Sequence, residues 1–296
     1  MANHLFIGAA TALITPFNQD GSINYEQFGN LIDWQIEEGI DALIIAGTTG
    51  EGATLSDQEH KELMEFAGQR INGRIPWIGG TGSNDTAYGI QLSQAAEKSG
   101  ASGVLLVTPY YNKTTQGGLI KMFTEYADAL NIPVMLYNVP SRTGVNIEPD
   151  TYLALSKHPN IVAIKEANSD IAKIVETKAK VGDDLDLYSG NDDQIVPILS
   201  VGGLGVVSVL SNLLPKETHE LVMAYINGDR ETACQMQLKY MELVKALFCE
   251  TNPIPAKCAM AHMGWCDNYL RSPLYPMEPA NEERLLNAMR NIGIGV

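Results

Sequence analysis

Ile161-Val162-Ala163-Ile164-Lys165-Glu166-Ala167 reads as a buried strand that ends on a lysine. Side chains alternate across a strand, so the spacing puts Ile161, Ala163 and Lys165 on one face and Val162 and Ile164 on the other. If the first face lines a closed barrel, the amine points into its mouth; otherwise it snorkels to water from an ordinary strand end. An amine held away from water has a pKa below its usual ~10.4, and its neutral fraction is nucleophilic. Schiff-base chemistry with a carbonyl compound is then open to it.

Around this stretch the chain repeats one pattern: a short apolar run, a loop rich in Gly, Thr, Asn or Pro, then an amphipathic segment. Eight runs fit it: Ala10 to Ile14, Ala42 to Ala46, Pro76 to Gly79, Gly103 to Val107, Pro133 to Tyr137, Ile161 to Lys165, Leu185 to Tyr188 and Gly205 to Val209. The segments Asn24 to Glu38, Ser56 to Arg70, Asp85 to Ser99 and Thr115 to Leu130 open on polar residues that suit helix N-caps. Strands alternating with helices imply a parallel sheet, and eight repeats imply closure into a (β/α)8 TIM barrel. An open doubly wound sheet would carry a glycine-rich phosphate turn after its first strand, whereas this chain has Thr15-Pro16-Phe17-Asn18 there. Gly80-Thr81-Gly82 lacks the third glycine of such a turn. After Gly228 the alternation stops. Residues 1–228 are therefore expected to form the barrel and residues 229–296 a C-terminal helical extension, with helices over Glu231 to Phe248 and Glu282 to Asn291 interrupted at Asn252-Pro253-Ile254-Pro255. The Met and aromatic content of the extension reads first as packing surface, available for assembly.

Composition narrows the function. The net charge of −15, from 20 basic and 35 acidic residues without a basic run, gives nucleic acid no electrostatic footprint. Any anionic substrate must meet a positive site built locally, so each interior cation is informative. Cys234, Cys249, Cys258 and Cys266 form no C-x-x-C pair and the five histidines no H-x-x-x-H pair, so the expectation is free thiols, no metal and no cofactor. The start, Met1-Ala2-Asn3-His4-Leu5-Phe6, lacks a basic region followed by an apolar run, and no apolar stretch reaches membrane-spanning length. A cytoplasmic enzyme with no membrane partner is the expectation.

Barrel enzymes carry their chemistry where the strands end. Strand two runs into Gly47-Thr48-Thr49-Gly50-Glu51-Gly52, which can receive a carboxylate or be an ordinary Gly/Thr turn. Strand four ends Thr108-Pro109-Tyr110-Tyr111-Asn112, and strand five ends Tyr137-Asn138-Val139-Pro140-Ser141-Arg142-Thr143-Gly144. Tyr137 and Lys165 stand one helix-and-strand repeat apart, so they should end adjacent strands roughly 5 Å apart. There a phenol can shuttle protons for the amine, or remain a rim aromatic in water. Arg142 suits a bidentate carboxylate clamp, with a surface ion pair to Glu148 or Asp150 as the other reading. Glu51 and Glu166 do not suit a glycosidase pair: Glu166 has the opposite strand parity to Lys165 and should face the helices, and Glu51 in its turn can accept backbone N–H bonds.

In order and spacing, the Gly47–Gly52 turn with Glu59 after it, Tyr110-Tyr111-Asn112, Tyr137 to Gly144, Ile164-Lys165-Glu166-Ala167 and Ser189-Gly190-Asn191-Asp192 resemble the 4-hydroxy-tetrahydrodipicolinate synthase family of pyruvate-dependent class I aldolases. The resemblance runs nearly end to end. It implies that Lys165 forms a Schiff base with pyruvate, whose enamine attacks L-aspartate 4-semialdehyde before cyclisation frees the lysine. It further implies a proton relay of Tyr137, Thr48 and Tyr111, with Tyr111 entering a neighbouring subunit's site, and hence a homo-oligomer, commonly a dimer of dimers. Thr49 would hold the pyruvate carboxylate and Arg142 that of the semialdehyde, while the backbone near Gly190 and Val207 lines the pocket. N-acetylneuraminate lyase and 2-keto-3-deoxygluconate aldolase share the lysine and tyrosine but generally lack the arginine, so Arg142 favours the synthase reading over theirs. A non-catalytic keto-acid-binding barrel would need an inert Lys165. The family's lysine-effector positions fall on Gly52, Ala53, Asp57, His60, Asn84, Tyr88 and Tyr110. Lysine-sensitive bacterial members tend to carry serine, histidine and glutamate where Gly52, Asp57 and Tyr88 stand, so weak or absent lysine inhibition is expected.

Overall fold

A computed structural model describes residues 4–296, and the opening Met1-Ala2-Asn3 of the expected leaderless start lies outside them. Eight parallel strands close into a barrel in sequence order, β8 pairing back onto β1. They are β1 (Gly8–Ala12), β2 (Ala42–Ile45), β3 (Trp77–Gly80), β4 (Gly103–Val107), β5 (Val134–Asn138), β6 (Ile161–Glu166), β7 (Asp186–Ser189) and β8 (Gly205–Ser208). Around and after them run α1 (Tyr25–Glu37), α2 (Asp57–Ile71), α3 (Thr86–Lys98), α4 (Gln116–Asp128), α5 (Pro140–Thr143), α6 (Pro149–Leu155), α7 (Ile171–Val181), α8 (Ile195–Ser200), α9 (Pro215–Ile226), α10 (Arg230–Leu247), α11 (Ile254–His262) and α12 (Pro279–Asn291). The polar helix openings act as expected. Asn24, Asp85 and Thr115 each accept a backbone N–H three residues on, and Ser56 with Glu59 forms a reciprocal capping box. The first strand lies two residues earlier than the apolar run suggests, because Leu13 and Ile14 leave the barrel to join the layer beneath the helices.

Two apolar layers follow from strand alternation. Ala10, Ala42, Ile44, Ile78, Met135, Ala163 and Val207 fill the barrel interior. Leu43, Ile45, Val104, Leu106, Leu136 and Ile164 pack outward against the helices. Small interior residues leave room for Tyr188, whose ring stacks on Phe6 with centroids 4.3 Å apart and whose hydroxyl donates to the Phe6 carbonyl. That plug closes the N-terminal end of the barrel and leaves the strand C-termini as the open end.

The parity of β6 needs one correction. Lys165 and Ala163 do share the interior face, but Ile161 does not join them; it packs in the outer layer, while Val162 packs against the interior cluster. The register explains this, since Val134 pairs with Ile161 and the next residue, Met135, with Ala163, so one residue of β6 is extra. Such a bulge reverses side-chain parity across itself, and the alternation counted from Lys165 holds only back to Ala163.

The extension packs on the barrel and also reaches its mouth. Asn252-Pro253-Ile254-Pro255 does not merely interrupt helices: α11 starts at Ile254 with Pro255 in its first turn, where the missing N–H has no intrahelical partner to lose. Trp265 stacks on Trp34 of α1 at 4.5 Å, and the segment leading into α11 bends over the open end of the barrel. All four cysteines are free, and no helix among the described residues is long and apolar enough to cross a membrane.

Candidate active site

A cavity of about 500 Å3 opens at the C-terminal ends of the strands, with Lys165 and Tyr137 in its wall. The two residues pair directly in the β5–β6 register, which brings the amine 4.2 Å from the centre of the phenol ring. Both side chains are buried, Lys165 to 6 % exposure and Tyr137 to 8 %. Tyr137 is therefore not a rim aromatic in water. Gly190, at the end of β7, lets the lysine stem pass: a Cβ there would lie 3.2 Å from Lys165 Cε and 2.8 Å from the Ala167 methyl.

Burial brings the Lys165 pKa down to about 7; the Asp192 carboxylate opposes this and the Arg142 guanidinium adds to it. Asp192 acts on the amine through its charge without bonding it: its Oδ2 accepts the backbone N–H groups of Val209 and Leu210, and its buried Oδ1 has no hydrogen-bond partner. Among the described residues no hydrogen bond or ion pair is made by Lys165. A substantial neutral fraction thus exists near pH 7. Burial pushes the Tyr137 phenol up to about 12, partly offset by Arg142 and reinforced by Glu166, so it stands as a neutral donor and acceptor. Glu166 faces the helices, as its parity requires. Its carboxylate accepts from the Tyr152 hydroxyl of α6 at 2.9 Å, from Asn138 at 3.0 Å and from the Asn168 backbone at 2.9 Å.

The rim is cationic and carbonyl-rich. Arg142 sits in α5, a single turn opened by Pro140 and closed by Gly144 in the left-handed region. The alternative surface ion pairs do not form, since Glu148 pairs with Lys173 and Asp150 with Lys180. Instead both terminal nitrogens of Arg142 reach the Asn252 carbonyl at 3.3 Å, which leaves the guanidinium without a carboxylate. The Asn252 side chain donates to Thr49 Oγ1 at 2.9 Å, while its own Oδ1 is buried and unpartnered. Thr48 and Thr49 both line the cavity, Thr48 exposed and Thr49 buried. Phe248 to Asn252, from the extension, line it too. Sequence reasoning missed that contribution, although a conformationally restricted Asn-Pro-Ile-Pro segment between two helices is a signal for a fixed loop.

A second feature was also missed. Glu51 adopts a left-handed conformation (φ 54°) in the Thr48–Gly52 turn, and its carboxylate pairs with Lys257 of α11 while accepting the Arg271 backbone N–H at 3.0 Å. Lys257 and Glu51 are 0 % and 3 % exposed. Arg271 in turn holds Glu59 at 2.9 Å, and both cations lie over the Phe17 ring. The turn that presents the two threonines is thus anchored from the C-terminal extension by buried charge. The expected backbone bond of Glu51 exists, but it is one of two.

The remaining expected positions lie apart from the cavity. Val207 is buried in the barrel interior and does not reach the cavity; Val209, two residues further along the chain, lines it instead. Tyr111 is 95 % exposed with φ 63° and does not line its own chain's cavity. The effector positions cluster outside the barrel mouth: Asn84 Oδ1 accepts the Tyr110 N–H at 3.2 Å, His60 bonds the Gly80 carbonyl at 3.0 Å, and Asp57 pairs with Lys61. Burial and the Asp57 charge raise the Tyr88 phenol pKa. Ala53 is exposed beside Gly52, where a Cβ would lie only 2.2 Å from the Ala46 carbonyl oxygen. A serine at that position requires the turn to shift.

A family model described as the dihydrodipicolinate synthetase family matches residues 5–292. The chain belongs to that family. It is 50% identical over 291 residues to a 4-hydroxy-tetrahydrodipicolinate synthase of Thermoanaerobacter sp. (strain X514), covering 98% of each sequence. Among solved structures it is similar to dihydrodipicolinate synthase from Thermotoga maritima, with a TM-score of 0.96 and 42% identity over 98% of this chain and 100% of that one. It is also similar to the chloride-inhibited enzyme from Acinetobacter baumannii complexed with pyruvate, with a TM-score of 0.95 and 39% identity over 97% of this chain and 99% of that one.

Proposed function

We propose that the chain is a lyase of the class I aldolase type that condenses pyruvate with L-aspartate 4-semialdehyde to 4-hydroxy-tetrahydrodipicolinate, in the diaminopimelate route to lysine. The observation that carries the reading is the buried, unpaired amine of Lys165, near half-neutral at pH 7, facing a phenol in a cavity crowned by an arginine without a carboxylate. Relatives at about half identity carry the synthase name over nearly the whole chain, and the neuraminate-lyase and ketodeoxygluconate alternatives are not favoured.

In this reading Lys165 Nζ adds to the ketone carbon of pyruvate, and water leaves as the carbinolamine becomes an imine. Tyr137 carries protons between the nitrogen and the departing oxygen, with Thr48 and a neighbouring subunit's Tyr111 linking it to solvent. Loss of a methyl proton gives an enamine, whose carbon bonds to the aldehyde carbon of the semialdehyde while the aldehyde oxygen gains a proton. The adduct's own amine then displaces Lys165 at the imine carbon and closes the ring. Thr49, oriented by Asn252, binds the pyruvate carboxylate beside the backbone at Gly190, and Arg142 takes the second carboxylate. Val207 supports the cavity from beneath.

The finer architecture is part of the proposal. Residues 1–228 act as the catalytic barrel, and residues 229–296 as an extension that completes the rim. The exposed, left-handed Tyr111 fits a role in a partner's cavity, hence a homo-oligomer, with a homotetramer the family's common form. Free thiols accord with a reducing cytoplasm. The cramped Gly52 turn and Tyr88 beside Asp57 accord with weak or absent response to lysine. Turnover tests the substrate assignment: aspartate semialdehyde should react with pyruvate far faster than N-acetylmannosamine or glyceraldehyde. Equal or faster turnover of either sugar-type aldehyde would overturn it.

A further inference from the structure

Cys258 and His262 stand four residues apart on α11, which puts both on one helix face, and Glu282 in the first turn of α12 faces them. The Cys258 sulfur, a His262 ring nitrogen and a Glu282 carboxylate oxygen all lie within 4.8 Å of one another. His262 Nε2 and Glu282 Oε1 already touch at 2.7 Å. We propose that these three side chains form a zinc site that fastens α11 to α12.

The donor set selects the ion. Thiolate, imidazole and carboxylate together suit zinc, whereas magnesium and calcium require all-oxygen shells. Tetrahedral zinc spaces its ligand atoms about 3 to 4 Å apart, so small rotamer adjustments convert the present cluster into three ligands of one ion. Access is graded in a useful way: Cys258 is buried, while the His262 and Glu282 side chains are 37% and 32% exposed, leaving the outer side open to an entering cation and to a water as fourth ligand. The carboxylates of Glu282 and Glu250 both act on the Cys258 thiol, a local negative field that favours a divalent cation. On binding, the Cys258 thiol loses its proton to solvent as the sulfur–zinc bond forms, and His262 binds through Nε2 as the neutral imidazole.

The site would steady more than two helices. Lys257, next to Cys258, holds Glu51 on the other side of α11, and Asn252 at the approach to α11 orients Thr49 and Arg142. Fixing α11 against α12 therefore fixes the anchor of the cavity rim, although none of the three ligands touches the cavity.

The full-length protein, stripped with a chelator, should be titrated first with Co2+ and then with Zn2+. Expected are one metal per chain, a near-ultraviolet sulfur-to-cobalt charge-transfer band, and its loss when zinc displaces cobalt. Cys258→Ser should abolish the band, whereas Cys234→Ser, at an exposed position on α10, should keep it. His262→Gln, at an exposed position, should weaken Zn2+ binding at least about tenfold with an unchanged circular dichroism spectrum. No thiolate band, a band that survives Cys258→Ser, or unaltered affinity in His262→Gln would overturn the site in favour of a plain His–Glu hydrogen bond beside a packed thiol.

Discussion

Two buried lysines face opposite electrostatic situations in this molecule. Lys257 is fully enclosed and paired with Glu51, and Phe17 covers its ammonium. Lys165 is nearly as buried, yet no carboxylate bonds it, and Asp192, whose charge acts on it, is held through one oxygen by backbone N–H groups. Burial lowers the pKa of both, but at Lys257 the charge and hydrogen bond of Glu51 oppose the shift directly. Burial alone therefore does not leave an amine free to react; withholding the counter-ion does. The paired lysine holds the loop that the unpaired one uses.

The sharpest break between the two comes from removing each. Lys165→Met should lower turnover by about 10^4-fold or more, as loss of a covalent nucleophile does, while leaving the fold intact; steady-state rates and thermal melts check this. Lys257→Met should do the reverse in kind, destabilising the protein by about 3–5 kcal/mol because Glu51 is left charged and buried. Denaturant unfolding measures that loss, and adding Glu51→Gln should recover part of it. Arg142→Ala should reduce kcat/KM by about 10^2-fold while pyruvate adduct formation persists, since its assigned partner is the second substrate; equal loss of both steps contradicts the role.

The smallest effects on rate are in pH. With the Lys165 pKa at about 7, the rate of adduct formation should rise about tenfold per unit up to pH 7 and level off above it. Stability has the matching sign. The unfolded amine keeps its proton to its ordinary value of 10.5 and the folded one only to about 7, so the unfolded chain binds more protons between these values. The contribution of Lys165 to stability therefore rises with pH across that window, and the burden of burying its charge is largest below pH 7. In Lys165→Met the share of this slope that Lys165 contributes should be lost; a slope unchanged by the substitution would locate the effect elsewhere.

The barrel was legible because each strand is a short apolar run and several helices open on their own polar caps, both local signals. Tyr137 beside Lys165 followed from one repeat of spacing. Ile161 was misplaced because a bulge leaves no mark in an apolar run: Val162 packs inward as readily as outward. Lys257 and Arg271 stayed hidden for another reason. Their partners Glu51 and Glu59 are more than 200 residues away, and composition does not say which distant carboxylate a helix lysine meets. A lone lysine within the apolar run Pro255-Ala256-Lys257-Cys258-Ala259-Met260 was the available hint. Seeking only C-x-x-C and H-x-x-x-H spacings likewise passed over Cys258 and His262, whose mixed i, i+4 pair gains its third member from α12.

Incubating the protein with pyruvate and borohydride, then mapping modified peptides by mass, tests the central claim most directly. One reduced pyruvate adduct per chain should form on Lys165, with Lys257 unmodified. An unmodified Lys165, or labelling that falls on Lys257, would contradict the assignment of the unpaired amine as the nucleophile.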